Sequence, residues 1–524
     1  MMTDSITIDG ESLSPFDVEA VARAETAIKV PESVRKQVRE SREHIENIIE
    51  SGKTVYGVNT GFGSLVQEHI SSDQIQTLQH NLLRSHSVGT GDELSIPEVR
   101  AMLVTRINAL VKGYSGIREC VIDLLIAMLN EGVHPVVPEK GSLGASGDLA
   151  PLAHLGLVVI GEGEAYVDGD RLPGDEALNR RGLEAIELEA KEGLALINGT
   201  QLTAGLGALI VCDAKRVIRA ADMAGALTTE VTMSTTATAD LELYEVRPHE
   251  GHKQTAQNIQ TLTADSEIIS SHRDCQRVQD AYSIRCIPQV HGAVRDVISH
   301  LEEVVTTELN SATDNPLVFD ATDVDDRASG TEQSAVLSGG NFHGEPLALP
   351  LDYLTNALTE LGAISERRVD RMLNPEIQED HLPPFLTENS GLQSGLMIAQ
   401  YTAADLVSTN RSMGSPSTDT IPVSGNQEDH VSMSAQCALQ TRDALKNTLH
   451  VIAIELVCGT QALDFIEEYD PGIGTGAMAT KIREYVSFLD EDRPMSEDMD
   501  TIRHLITGDE LINHVEAKLN TSLN

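Results

Sequence analysis

Gly141-Ser142-Leu143-Gly144-Ala145-Ser146-Gly147-Asp148-Leu149-Ala150-Pro151 is the stretch on which the reading of this chain turns. Its centre, Ala145-Ser146-Gly147, can build an electrophile from backbone atoms alone. If the Gly147 amide nitrogen attacks the Ala145 carbonyl carbon and water leaves, a five-membered imidazolone ring closes. Loss of a second water, from Ser146, then leaves an exocyclic methylidene. The closure needs a tight backbone approach, which glycine permits and alanine does not obstruct. The same tripeptide is also what a flexible glycine-rich loop looks like, so the rest of the chain has to decide between the two.

The chain has 524 residues, enough for one large core or two to three domains. Hydrophobic residues make up 40% but aromatic ones only 3%, and Trp is absent. A core of Ala, Leu, Val and Ile suits close-packed helices. The formal charge is -43, and only 11 of the 38 basic residues are Lys. That sign disfavours nucleic acid as a partner, because phosphate neutralisation needs the opposite one. An acidic excess this large matches a surface adapted to high salt, where a Debye length of a few Å screens carboxylate repulsion. The beginning of the chain lacks a basic segment followed by an apolar one, and no run has the length of a membrane span. A cytoplasmic protein with no membrane partner is expected. Cys120, Cys212, Cys275, Cys286, Cys437 and Cys458 stand singly, without metal-site spacing, which predicts reduced structural thiols and no metal.

Helical signals dominate outward from the opening stretch. Ser95, Pro97 and Glu98 form a capping-box start for an apolar pattern through Val99, Met102, Leu103, Ile107, Leu110 and Val111. Val121, Leu124, Leu125 and Met128 mark the next helix, with Gly132 and Pro135 beyond its end. Long periodic stretches follow at Leu194 to Met233, Gln289 to Leu309, Leu351 to Leu373, Leu396 to Thr409 and Ser432 to Phe465. Strand signals are few: a hairpin over Glu164 to Arg171 about Asp168-Gly169, and Ile6 to Ile8. The expected fold is mainly α, an elongated helical bundle with few short strands. A loop-rich N-terminal part, residues 1–190, carries the opening stretch, and residues 191–524 form the long-helix bundle.

Six further motifs could carry chemistry. Val55-Tyr56-Gly57-Val58-Asn59-Thr60-Gly61-Phe62-Gly63 is glycine-rich but lacks the Gly-Lys-Ser/Thr and the strand-to-helix context of a phosphate loop. Ser85-His86 lies at a helix end. Asn198, in Ile197-Asn198-Gly199-Thr200-Gln201, sits where a long helix opens and fits an N-cap. Val278 to Cys286 places Gln279, Tyr282 and Arg285 within two predicted helical turns, and an arginine fork matches a carboxylate. Phe342 stands among loop glycines in Ser338 to Pro346, and Gly425-Asn426-Gln427-Glu428-Asp429-His430 offers carboxylates. Each of these residues has a plain structural use when taken singly.

Together and in this order, the motifs and the stretch Gly141 to Leu155 resemble the aromatic amino acid ammonia-lyases, and most closely the members that act on histidine. The resemblance covers most of the chain. It implies a 4-methylidene-imidazol-5-one group formed autocatalytically from Ala145, Ser146 and Gly147, with no dissociable cofactor. It also implies a fold of the fumarase/aspartase-like type, which the segment Gly414 to Pro422 resembles without that signature's Lys. The implied reaction is loss of ammonia from L-histidine to give trans-urocanate, the first step of histidine degradation. By resemblance Tyr56 removes the substrate β-proton. Bringing a phenol from its ordinary pKa of about 10 to near 7 needs ~4 kcal/mol of phenolate stabilisation. His86 and Glu428 would bind the imidazole, with Glu428 also assisting proton transfer. Arg285 would hold the carboxylate, with Gln279 and Tyr282 beside the ring and amine. Asn198 would bind the amino-acid portion, and Phe342 would form an aromatic wall. Ala281 departs from the proline common in the family. A homotetramer with active sites shared between chains is likewise implied by the resemblance.

Three other readings compete. A lyase or aminomutase acting on tyrosine or phenylalanine is disfavoured by Ser85-His86 and Glu428. A non-catalytic acidic helical scaffold would keep its full chain mass, without the deficit of two waters. A phosphate-binding module lacks the lysine its glycine loops need.

Overall fold

The computed structural model describes residues 5–60, 74–273, 277–324 and 328–524. Helices dominate the described residues, as the small aliphatic core composition predicts. Strands are short. Ile6–Thr7 pairs in parallel with Ile28–Lys29, and Thr90–Glu93 pairs antiparallel with Pro138–Lys140. His134–Pro135, Glu164–Val167 and Asp170–Pro173 form an antiparallel sheet whose hairpin turns at Asp168-Gly169, as the sequence predicts. Leu317–Asp320, Ser334–Leu337 and Ser329–Gly330 form another.

The chain divides into two compact units. The first comprises Met1–Cys212, Leu301–Asp352 and Ser415–Leu439. Helix Ile96–Val111 runs through its core and starts at the capping box, where Glu98 accepts the Ser95 amide at 2.7 Å. Every residue from Val99 to Val111 is buried, including Arg100 and Arg106, so this helix is enclosed on all sides and not only on its apolar stripe. Helix Glu119–Asn130 follows as expected.

The stretch from Leu194 to Met233 is not one helix. Glu192–Ile197 and Gln201–Val231 are separated at Asn198-Gly199-Thr200, where Gly199 takes φ +150°, a conformation open in practice only to glycine. Asn198 is therefore not an N-cap. It ends the shorter helix, and the longer one begins after Thr200, whose carbonyl accepts the Ala204 amide at 2.8 Å.

The second unit comprises Asp213–His300, Tyr353–Gly414 and Gln440–Asn524. Long helices build it, and a buried polar network ties them together. Glu455 accepts Nε and Nη2 of Arg368 at 2.5 and 2.8 Å, Thr228 Oγ1 at 2.7 Å and Ser365 Oγ at 2.6 Å. Asp222 accepts His291 Nδ1 at 2.7 Å, Arg295 Nη2 at 2.5 Å and Asn258 Nδ2 at 2.8 Å. Arg368, Glu455, His291 and Asp222 are fully enclosed, so their charges exchange hydration for these fixed partners. Helical periodicity marks these positions only as interruptions of an apolar face.

Helices Ile287–Leu309, Met397–Arg411 and Ser434–Leu463 match the periodic stretches closely, whereas Glu345–Leu373 starts six residues early and contains Pro350. No helix among the described residues is long and apolar enough to cross a membrane. Cys212, Cys437 and Cys458 are buried and in no disulfide, Cys120 is exposed and likewise in none, and Cys275 lies outside the described residues.

Candidate active site

The tripeptide Ala145-Ser146-Gly147 is clamped at both ends by contacts that exclude a side chain. Gly147, at φ +75°, pairs with Gly199, and a Cβ on it would lie 2.1 Å from the Gly199 carbonyl oxygen. The Asp148 amide donates to that same oxygen at 2.6 Å. At the other end Gly144, at φ +71°, leaves no room for a Cβ beside Ser432 Oγ, 2.1 Å from where it would stand. The Gly144 carbonyl accepts Ser432 Oγ at 3.2 Å and the Gly344 amide at 3.1 Å. Ala145 packs on Val431 and Met433. Ser146 is half-buried between the two clamps. The segment is thus a tightly bound turn, which the flexible-loop reading does not describe.

Asp148 anchors the turn from behind and precedes helix Leu149–Val159. It is fully buried and accepts Ser142 Oγ at 2.8 Å and the Thr203 amide and hydroxyl at 2.9 and 3.2 Å. Burial pushes its carboxyl above the ordinary carboxylate range against those hydrogen bonds. Glu308 accepts Thr200 Oγ1 at 2.5 Å. It is pushed up as well, first by burial and then by the Asp148 charge, with the Thr200 bond opposing. Sequence reasoning missed both acids; the only signal for Asp148 was its place just before a helix.

Asn198 joins this cluster through Gly199. Arg106, wholly enclosed, donates to the Asn198 carbonyl at 3.0 Å, to Gln201 Oε1 at 2.5 Å and to the Ala195 carbonyl. Burial lowers the Arg106 guanidinium to about 10. Asn198 Nδ2 donates to the Asn315 carbonyl at 2.8 Å, while its Oδ1 is buried without a hydrogen-bond partner among the described residues. An unsatisfied buried amide oxygen beside the clamped tripeptide is a vacant acceptor. Next to Asn315, Pro316 packs on Gly57, the neighbour of Tyr56. Tyr56 is half-buried in a turn closed by Val58 amide to Val55 carbonyl at 3.1 Å and by the Val55 amide to Asn59 Oδ1 at 2.8 Å. Gly61, Phe62 and Gly63 of that motif lie outside the described residues.

His86 ends helix Ile75–His86, and its Nδ1 lies 2.8 Å from the Leu82 carbonyl. A carbonyl only accepts, so this geometry assigns the hydrogen to Nδ1 and leaves Nε2 of the neutral ring as an acceptor. Burial lowers the His86 pKa, opposed by the Leu82 bond and by the nearby Glu428 charge. The structure therefore brings His86 and Glu428 within electrostatic reach, although they are far apart in sequence. Glu428 is half-buried at the end of a loop closed by the Val423 amide to the Glu428 carbonyl at 2.9 Å. Ser424, Gly425 and Asn426 all take φ between +51° and +67°, a run of left-handed residues that holds this loop in strain. The His343 ring, next to Phe342, lies 5.7 Å from the His430 ring, which places the Phe342 turn against the Glu428 segment.

In the second unit, Arg285 donates to Gln279 Oε1, and its guanidinium stands 5.9 Å from the centre of the Tyr282 ring. Tyr282 is 73% exposed. The two predicted helical turns reduce to one, Tyr282–Arg285, because the chain before Ala281 is bent rather than helical. The three side chains cluster all the same. Among the described residues no group of three His, Cys, Asp or Glu could hold a metal ion.

The likeness to known proteins extends over nearly the whole chain. The family model for aromatic amino acid lyases matches residues 13–484. A probable histidine ammonia-lyase of Halobacterium salinarum is 57% identical over 507 residues, covering 97% of each chain. The crystal structure of histidine ammonia-lyase from Trypanosoma cruzi superimposes with a TM-score of 0.89 at 38% identity, covering 98% of this chain and 95% of that one. Tyrosine aminomutase from Streptomyces globisporus gives 0.92 at 36%, covering 99% and 100%. With its glycine-clamped tripeptide and this extent of likeness, the chain belongs to the aromatic amino acid lyase family.

Proposed function

We propose that the protein is a histidine ammonia-lyase, a carbon-nitrogen lyase that eliminates ammonia from L-histidine to leave trans-urocanate. The observation that carries the choice of substrate is the pairing of His86 and Glu428. Nε2 of the neutral His86 ring and the Glu428 carboxylate are both acceptors, so they suit a ring that presents N-H groups. A phenylalanine ring has no such donor and would leave both acceptors buried against carbon, costing roughly 1–3 kcal/mol for each.

The tripeptide fits the methylidene-imidazolone group. The clamps at Gly144 and Gly147 compress the turn, and the unsatisfied Asn198 Oδ1 stands ready to accept from it or from substrate. When formed, the group supplies an electrophile for the substrate amine, an otherwise poor leaving group. The chain's own side chains do the rest. Arg285, with Gln279 and Tyr282, holds the carboxylate; His86 and Glu428 hold the imidazole; Phe342 walls the ring. Fixing the substrate at both ends presents its β-carbon to Tyr56, the base. Exchange of Glu428 for Gln is expected to lower kcat/KM for L-histidine by about 10²-fold, the loss of one charge-assisted hydrogen bond. Urocanate absorbance gives the direct assay. Turnover of phenylalanine or tyrosine at a rate matching histidine would overturn the assignment.

Replacing Gly147 with Ala tests the compression. A Cβ cannot occupy the space beside Gly199, and the left-handed backbone adds about 1–3 kcal/mol of strain. The expected product is a chain of full mass, without the loss of two waters and without activity.

Two further readings complete the proposal. The enzyme is a cytoplasmic homotetramer with shared active sites. Exposed Tyr353, Ile398 and Tyr401 on the long helices support it, since apolar side chains of this size are commonly covered in an assembly. An active monomer in sedimentation would contradict it. The acidic surface is adapted to high salt: the half-life of activity at elevated temperature is expected to be about tenfold longer in molar salt than in dilute buffer. Equal half-lives in the two buffers would remove that reading.

A further inference from the structure

The first unit holds a cavity of about 300 Å³ that shares no residue with the site described above. Its deep side is basic. Arg100 is 3% exposed; its Nε and one Nη donate to the Val21 and Leu129 carbonyls, each at 2.9 Å, and its other Nη has no protein partner among the described residues. His134, 8% exposed, also lacks a protein partner for either ring nitrogen among the described residues, and its Nδ1 is sealed from solvent. Arg181 gives one Nη to Asp168 at 2.6 Å but keeps Nε buried and unbonded. Burial, with repulsion from Arg100 and Arg181, pushes the His134 imidazole down to about 4. The ring is therefore neutral in a positive field. Two enclosed side chains and the half-buried Arg181 thus hold unused hydrogen-bonding capacity around one space, which is uncommon in a finished core.

The mouth has the opposite sign. Glu25, Glu131 and Asp168 line it, all exposed. Glu25 and Glu131, beside an Asp168 already paired with Arg181, repel a phosphate or other polyanion at the entrance. A cation alone would leave the deep guanidinium groups unmatched. The volume suits a molecule of a few to about ten heavy atoms.

We infer that this cavity binds a small zwitterion of the free amino acid type, its carboxylate taken by Arg100 and Arg181 beside His134 and its ammonium by Glu25, Glu131 and Asp168. The site stands at the head of the segment that leads from strand His134–Pro135 through Pro138–Lys140 into the clamped turn. Its occupant is thus positioned to stiffen the support of that turn.

Saturation-transfer NMR on the full-length protein tests this, with L-alanine as probe and propionate and ethylammonium as its two halves. L-Alanine is expected to bind saturably, and each half about tenfold or more weaker, because each forfeits one set of charge-assisted hydrogen bonds. Arg181→Gln and Ile96→Trp, the latter filling the mouth, should each weaken L-alanine about tenfold or more while leaving L-histidine turnover unchanged. Binding that survives both substitutions belongs to another site and overturns the inference. So does the absence of saturable binding, or propionate binding as tightly as L-alanine.

Discussion

Exchange of Ser146 for Ala is expected to abolish turnover of L-histidine, by about 10⁴-fold or more. The reason is chemical rather than structural. Ser146 is the only member of the tripeptide that can lose its side-chain oxygen as water to leave a carbon-carbon double bond, and alanine carries no oxygen to lose. The fold has little stake in the hydroxyl, because the clamps act on the backbone at Gly144, Gly147 and Asp148. The variant should therefore express as a folded protein with unaltered binding at His86, Glu428 and Arg285. Intact mass separates the two stages: the native chain is expected to be lighter than its sequence by two waters, and the variant by no more than one. A Ser146→Ala enzyme with near-native turnover would sink the proposed chemistry, and a native chain of full mass would favour a scaffold that keeps the fold alone.

The second large effect concerns stability. Replacing Glu455 with Ala strands the Arg368 guanidinium in a fully enclosed site next to His291, and takes the acceptor from Thr228 and Ser365 as well. Breaking one side of a buried pair costs about 3–5 kcal/mol, well beyond the loss of an exposed one. Thermal denaturation should show a sharply lowered midpoint. A double variant, Glu455→Met with Arg368→Met, should recover most of the loss, because it removes both charges instead of orphaning one. If the single and double variants melt alike, the network acts through shape and not through charge.

Much of the helical layout was legible because apolar spacing and capping are local. The Ser95 to Glu98 box, the Asp168-Gly169 turn and the long helix after Ser434 each depend on residues a few positions apart. What was hidden depends on distant partners. The break at Asn198 is marked locally only by Gly199, while the contacts that fix it, Gly199 with Gly147 and Arg106 with the Asn198 carbonyl, come from distant parts of the sequence. Asp148 and Glu308 likewise become special only through burial beside each other's segments. The site residues themselves came from resemblance, since Tyr56, His86 or Glu428 taken singly has an ordinary structural use. Their grouping is a property of the folded chain.

The clamps on the tripeptide also set an order of events in the life of the molecule. Gly147 meets Gly199 across half a hundred residues, and Gly144 meets Ser432 across most of the chain's remaining length. Neither contact exists while the chain is still emerging or after it unfolds. In the proposed chemistry, ring closure driven by these contacts waits until the first unit has assembled. On that proposal a nascent copy carries no electrophile to damage its surroundings, and reactivity itself becomes the mark of a chain that has folded.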